Sequence, residues 1–320
     1  MKCIIKNIEI KSVATCLPKN ILEMSSLVEK FGEKEVSDTI KGSGIERLHV
    51  AAEHETTADL CFEAAELILN TENIDRSSID GLVFVSQTFD YFNPATSCVL
   101  QARLGLSKEC VCFDISFGCS GYINGIFQAA SLISSGACHN ILVLAGDTNS
   151  KMADKEEKSS YMVFGDAGSA TIVSEGCGQL AFHIMNNGYD YETVLNSETG
   201  YRCWPENKFE GYKTPSGNMN GDDVFSFIVS VGPKTIKSVL ELVGWDKDEV
   251  DFYGLHQATK ITVDFMRRKL KLAYPERAPF DITNYGNTGP TTVPMVLTDW
   301  PYRSDGVDTA TWHKVILAAY

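Results

Sequence analysis

Val111-Cys112-Phe113-Asp114-Ile115-Ser116-Phe117-Gly118-Cys119-Ser120-Gly121 is the stretch on which the reading of this chain turns. An apolar run over 111–117 gives way, across two glycines that flank a thiol, to an amphipathic run over 122–133. Such a change of period predicts a strand, a tight turn and a helix, with Gly118 and Gly121 supplying unusual backbone angles. Cys119 then sits at a helix N-terminus. There the positive end of the dipole favours thiolate, so the thiol pKa is expected to fall.

Two other polar residues end apolar runs of their own: His256 in Leu255-His256-Gln257-Ala258-Thr259, and Asn287 in Tyr285-Gly286-Asn287-Thr288-Gly289-Pro290. Of the six histidines, only His256 ends such a run and enters a turn of small residues. Each of the three has a plain structural alternative: a buried thiol, a core histidine, an asparagine kept for its turn chemistry. Together they are a nucleophile with two groups able to stabilise developing negative charge, the makings of a cysteine acyl-transfer site. Papain-like proteases share the order Cys, His, Asn, but Cys119 lacks their local signature and the chain lacks a leader or a disulfide framework.

With 320 residues and 44% apolar content, the chain can bury a large core as two domains or one large α/β unit. A net charge of −14 argues against nucleic acid or anionic membrane as a main partner. No uncharged apolar run is long enough to span a bilayer, and 1–11 reads as a first strand rather than a signal peptide. Ten cysteines without CxxC or framework spacing suit a reducing compartment, so a cytoplasmic setting is expected. Cys110 and Cys112 lie on one face of a strand and make at most a weak metal site. Arg267, Arg268, Lys269 and Lys271 form a basic cluster on a helix predicted over 261–271. The cluster is either a solvated face or a dock for an acidic macromolecule.

Helix and strand patterns alternate: helices over 57–69, 97–104, 121–135 and 224–243, strands over 79–85, 111–117 and 140–145. Repeated βα alternation implies a mainly parallel or mixed sheet covered by helices. Ser78-Ile79-Asp80 before one strand is echoed by Glu249-Val250-Asp251 before another, and each follows a long amphipathic helix, although Pro233 complicates the second. The echo suggests a duplicated half, with the break at the turn-rich 175–178. The irregular 186–222 stretch suits a substrate-covering loop.

Taken in order, Gly44-Ile45-Glu46-Arg47-Leu48-His49, the Cys119 turn, Phe164-Gly165-Asp166, Met219-Asn220-Gly221-Asp222-Asp223-Val224-Phe225, His256-Gln257-Ala258 and Gly286-Asn287-Thr288 resemble the ketoacyl-ACP synthase III branch of the thiolase superfamily. The resemblance covers nearly the whole chain. It implies a duplicated, five-layer α/β/α/β/α fold with mixed sheets, halves over 1–177 and 178–320, and a homodimer. It also implies ping-pong chemistry with no metal or redox cofactor. Cys119 would take the acyl group from a thioester, its own N–H helping to bind the oxyanion. His256 and Asn287 would stabilise the enolate formed as a malonyl thioester loses carbon dioxide. An Asp at 287 would instead favour proton abstraction from an alcohol or amine acceptor. The same resemblance places Lys158, Phe164, Met219, Gly221, Phe225, Ala258 and Thr259 along the substrate tunnel, and Phe89, Tyr91 and Phe92 at the far end of the acyl pocket. An acidic acyl carrier protein would dock on Gln257, Lys260, Arg267, Arg268, Lys269 and Lys271.

Three departures qualify the resemblance. Asp38 and Gly42 stand where initiating synthases carry a Trp and an Arg that clamp the adenine of coenzyme A, and Lys158 stands for another nucleotide-contacting Arg. Loss of that clamp weakens coenzyme A binding, so the expected donor is a carrier-protein thioester or an unusual coenzyme A ester rather than acetyl-coenzyme A. Thr259 replaces the Asn usual after His-Gln-Ala. Finally, relatives continue past a segment like 316–320 into a glycine-rich loop carrying a second oxyanion N–H, and the loss of one such donor typically costs about 100- to 1000-fold in rate. A chain cut short and an impaired enzyme both fit that ending. Three functions therefore stay open: a decarboxylating synthase, an acyltransferase to an O, N or S acceptor, and a weakly catalytic carrier-protein binder.

Overall fold

A computed structural model describes residues 1–195, 218–219, 221–303 and 311–320. Polar–apolar alternation in Lys2–Cys16 forms the long strand β1, followed by β2 (Asn20–Glu23), α1 (Val28–Phe31), α2 (Glu33–Ser43) and β3 (Arg47–Val50). Helix α3 (Thr57–Thr71) starts at a capping box, in which the Thr56 side chain accepts from the Asp59 N–H and Asp59 accepts from the Thr56 N–H. There follow β4 (Gly81–Ser86), α4 (Thr96–Arg103), β5 (Val111–Ser116), α5 (Gly121–Ser134), β6 (Asn140–Asp147), α6 (Lys158–Tyr161) and β7 (Ala167–His183). Two-residue strands β8 (Val194–Leu195) and β9 (Asn218–Met219) pair antiparallel. The chain then forms α7 (Gly221–Val243), which runs through Pro233, β10 (Phe252–Leu255), α8 (Lys260–Leu270), α9 (Thr292–Arg303) and β11 (Val315–Ala318).

The main sheet is mixed, in the order β1-β7-β6-β4-β5. Strand β4 is parallel to β5 and β6, while β7 is antiparallel to β6 and β1. All six residues of β4 are buried, as an uninterrupted apolar strand requires. Its alternate side chains feed two cores: Leu82 and Phe84 pack with Ala64, Ala65 and Ile68 of α3, Val83 and Val85 with Ile126 and Ala129 of α5. Helices thus cover both faces of the sheet and β5 lies at its edge.

The echo in the sequence is an echo in hydrogen bonding. Before β4, Asp80 accepts from the N–H groups of His139 and Asn140, and its own N–H donates to Asn140 O. Before β10, Asp251 accepts from the N–H groups of His313 and Lys314, and its N–H donates to Lys314 O. Each aspartate fastens one strand to its parallel neighbour, β4 to β6 and β10 to β11.

The break expected at 175–178 is absent. Those residues lie inside β7, and their glycines serve close packing: a Cβ on Gly178 would come within 2.8 Å of Ile8 O in β1. The 186–222 region falls partly outside the described residues, including 196–217 and 220. Phe84 of β4 is fully buried between the sheet and α3. Phe84→Ala is expected to destabilise the protein by about 3–5 kcal/mol, read as a lowered midpoint in urea unfolding.

Candidate active site

The predicted turn forms where β5 meets α5. The Gly121 N–H donates to Gly118 O at 2.7 Å and the helix begins at Gly121. Neither flanking glycine has a positive φ, contrary to expectation. They are needed for room: a Cβ on Gly118 would lie 2.5 Å from Gln87 Oε1, and one on Gly121 2.6 Å from Val85 Cγ1. The half-buried Cys119 thiol is pushed up to about 12, first by burial and then by the charge of Asp147. This reverses the fall expected from the helix terminus. A helix end contributes at most about 2 kcal/mol, whereas desolvation of a buried charge shifts a pKa by several units.

His256 follows β10, its N–H donating to Ala318 O of β11 at 2.7 Å. It is fully buried, and Nδ1 lies 2.5 Å from Thr292 Oγ1 at the start of α9. Burial pulls its pKa down to about 4, so the imidazole is neutral at physiological pH. Asn287 is held by backbone pairing to the segment before β7: its N–H donates to Val163 O, and its O accepts from the Gly165 N–H. Asn287 Oδ1 accepts from the Gly289 N–H at 3.1 Å, which leaves the amide NH2 as its remaining donor. The neighbouring Asp166 accepts from Ala51 N–H and Ser150 N–H, and its own N–H donates to His49 O. The Gly44, Phe164 and Gly286 motifs, far apart in sequence, are thereby stitched together.

Cys119, His256 and Asn287 all line one cavity of about 2860 Å³, together with Phe164, Gly221, Phe225, Ala258 and Thr259. Phe89, Tyr91 and Phe92 line it too. Phe225 packs edge-on against Phe265 of α8. Met219 pairs through its backbone with Val194, and Asn220 lies outside the described residues. Thr259 is the N-cap of α8, accepting from the Thr262 N–H.

The remaining expectations divide. Lys158 is not in the cavity wall; its Nζ pairs with Glu35 at 2.7 Å. Gln257 cannot belong to a docking face, because it is fully buried: Nε2 donates to Pro279 O and Oε1 accepts from the Asp281 N–H. Lys260 pairs with Asp264, and Arg267 is spent on Ala278 O and Asp264. Arg268, Lys269 and Lys271 remain exposed, without an ion-pair partner among the described residues. The Cys110 and Cys112 sulfurs lie 3.9 Å apart, and no cluster of three or more potential metal ligands occurs among the described residues. Thr292 was not legible as a partner of the site, because it meets His256 from 36 positions away in the sequence.

A thiol, a neutral imidazole and an oriented amide in one cavity, set on a mixed α/β scaffold, define an acyltransferase of the thiolase type. The 3-oxoacyl-(acyl-carrier-protein) synthase III model matches residues 113–188, and its C-terminal counterpart matches 240–309. The chain is 31% identical over 291 residues to β-ketoacyl-(acyl-carrier-protein) synthase III 1 of Vibrio vulnificus, covering 90% of this chain and 89% of that protein. The crystal structure of 3-oxoacyl-(acyl-carrier protein) synthase from Burkholderia xenovorans superposes with a TM-score of 0.87 at 32% identity, covering 93% of this chain and 87% of that one. A second 3-oxoacyl-(acyl-carrier-protein) synthase III structure gives 0.89 at 27% identity, covering 98% and 96%. The chain belongs to the β-ketoacyl-(acyl-carrier-protein) synthase III family, and its fold is the thiolase-like fold expected.

Because His256 binds its proton only below about pH 4, whereas an unfolded histidine does so below its ordinary 6.5, the unfolded state carries more protons between these values. Stability therefore falls as pH drops from 6.5 towards 4. His256→Gln is expected to flatten that part of the stability profile, measured by urea unfolding at a series of pH values.

Proposed function

We propose that this enzyme is a decarboxylating condensing enzyme in fatty-acid or specialised acyl biosynthesis, working by a ping-pong mechanism through Cys119. The observation that carries this reading is the orientation of Asn287: Oδ1 is engaged by Gly289, so the side chain offers N–H to the cavity, where an aspartate would offer only acceptors. The Cys119 thiolate attacks an acyl thioester, its own N–H helping to bind the oxyanion; the acyl–sulfur bond forms at Cys119 and the donor leaves as a thiolate. A malonyl thioester then enters and loses carbon dioxide. Its electron pair becomes an enolate stabilised by donors from His256 and Asn287, and the carbanion attacks the acyl-enzyme. A β-ketoacyl thioester leaves and the Cys119 thiolate is restored.

Thr292 Oγ1 lies 2.5 Å from His256 Nδ1 and donates to Gly289 O at 3.1 Å, so the neutral imidazole is held in place through Nδ1. Carrier proteins are acidic, and Arg268, Lys269 and Lys271 offer them a basic face on α8. We place Phe164, Met219, Gly221, Phe225, Ala258 and Thr259 along the thioester path. The Asp38 and Gly42 positions lack an adenine clamp, and Lys158 is paired with Glu35. Both features favour a carrier-protein thioester or an unusual coenzyme A ester as donor.

We read the assembly as a cytoplasmic homodimer of subunits with halves over 1–177 and 178–320 that join inside the continuous strand β7 rather than at a turn, the paired Asp80 and Asp251 hooks supporting the duplication. Strand β5 is the outermost strand of its sheet, with Val111 42% exposed, and Tyr91 and Phe92 nearby are 56% and 80% exposed. An unpaired edge flanked by aromatics is a surface that a second copy would cover.

Incubation with acyl-carrier-protein and acyl-coenzyme A panels is expected to add an acyl mass to the protein, absent in Cys119→Ala. His256→Ala and Asn287→Asp should still acylate but lose about 100-fold or more of the carbon dioxide release from labelled malonyl thioester. Acylation without carbon dioxide release would instead support transfer to an O, N or S acceptor, and a low KM for acetyl-coenzyme A would overturn the donor assignment. Charge reversal at Arg268 and Lys269 together is expected to raise KM for the carrier-protein substrate roughly tenfold with kcat little changed, an effect that weakens in high salt.

A further inference from the structure

Behind the wall of the cavity, at the end of β6, lies the carboxyl of Asp147, fully buried. Oδ1 accepts from Ser86 Oγ at 2.9 Å, from the Gln87 N–H at 2.7 Å and from Thr88 Oγ1 at 3.2 Å. Oδ2 is buried with no hydrogen-bond partner. It points at the loop that carries Asn287: a Cβ on Gly289 would lie 2.9 Å from Oδ2 and 3.0 Å from Asn149 Nδ2. On the other side, Gln87 is the residue against which Gly118 packs. One carboxyl therefore stands between the support of the nucleophile turn and the support of the amide. None of the motifs singled out in the sequence includes it.

We propose that Asp147 is a positioning residue of this site, holding the Ser86–Thr88 turn against the nucleophile turn with one oxygen and closing the wall beside Asn287 with the other. A group so placed also acts through its charge. Burial, only partly offset by its three donors, pushes the Asp147 carboxyl up to about 7, so it changes charge within the working pH range. Its anion raises the proton affinity of the Cys119 thiol. The groups packed around it bring no compensating cation. Ser86, Gln87 and Thr88 from β4 and its turn, Asn149 after β6 and Gly289 before α9 are uncharged. The other titratable group that feels it is the buried thiol of Cys61 on α3, itself pushed far up by burial. Below about pH 7 the neutral acid leaves the nucleophile unopposed; above it, the anion holds the thiol protonated.

The proposal rests on Cys119 being the nucleophile, but its test needs no acyl donor. Iodoacetamide alkylation of Cys119 is followed at the peptide level by mass spectrometry across a range from roughly pH 5.5 to 9.5, which spans the Asp147 transition. Asp147→Asn should match the wild type at low pH and alkylate roughly threefold or more faster at high pH, the gap opening near neutrality. Ser86→Ala, which removes one donor to Oδ1, should move the wild-type inflection to higher pH, and it serves as the deciding variant if Asp147→Asn does not fold. Superimposable profiles, or a constant ratio at every pH, would overturn the proposal. A missing acyl adduct with this pH signature intact would sink the acyl-transfer reading alone.

Discussion

The short parallel bridge between Phe164 and Asn287 is the constraint on which the site depends. The Asn287 N–H donates to Val163 O and Asn287 O accepts from the Gly165 N–H, so a loop just before α9 is fixed to the chain entering β7. Backbone groups buried at such a junction must be paired, and here each satisfies the other. The pairing continues outward: Tyr285 O accepts from the His49 N–H at 3.4 Å, and His49 O accepts from the Asp166 N–H at 2.8 Å. Thr291 Oγ1 donates to Ala145 O near the end of β6, which fastens the start of α9 to the middle strand of the sheet. These bonds hold Asn287 in a fixed relation to the sheet that also carries Cys119.

Once fixed there, the three polar side chains share a low-dielectric environment that acts on each differently. His256 loses its tendency to charge and stays a neutral imidazole. Cys119 is made harder to ionise by its burial and by the charge of Asp147. A raised thiol pKa is not a poor starting point for acyl transfer: within a thiolate series intrinsic nucleophilicity rises with basicity. What the site must then supply is local positive potential at the moment of attack, because ionising such a thiol near pH 7 costs about 7 kcal/mol. The N–H groups at the start of α5 are already aimed and cost no reorganisation.

Much of this was legible in the sequence, for definite reasons. Strand β4 and helix α5 declare themselves because burial on both faces, or on one stripe, leaves an unmistakable period. Cys119 and His256 stand out because each interrupts such a period at its end. Lys158 and Gln257 were misplaced because family position says nothing about what a side chain meets: Glu35, distant in sequence, captures the first, and Pro279 and Asp281 bury the second. The stretch 175–178 was misread because turn-rich composition and close strand packing both select glycine. A sequence does not distinguish a glycine kept for its angles from one kept for the space of a missing Cβ. The same ambiguity attended Gly118 and Gly121.

The paired aspartate hooks give two strand pairs far apart in the sequence the same local anchor. In each unit a capped 3-10 turn leads to an aspartate that grips the N–H groups at the start of a neighbouring strand, Asp80 for β6 and Asp251 for β11. The hook fixes the bottom of the strand pair and leaves the top free to vary. At the top of β4 the chain turns through Ser86, Gln87 and Thr88, a polar support with no group positioned to react. At the top of β10 it places His256. Stability elements and chemical elements thus occupy opposite ends of the same strands, the division of labour expected where ligands bind beyond the carboxyl ends of parallel strands. Duplication could then conserve the grip at one end while the other end diverged into support in one half and donor in the other.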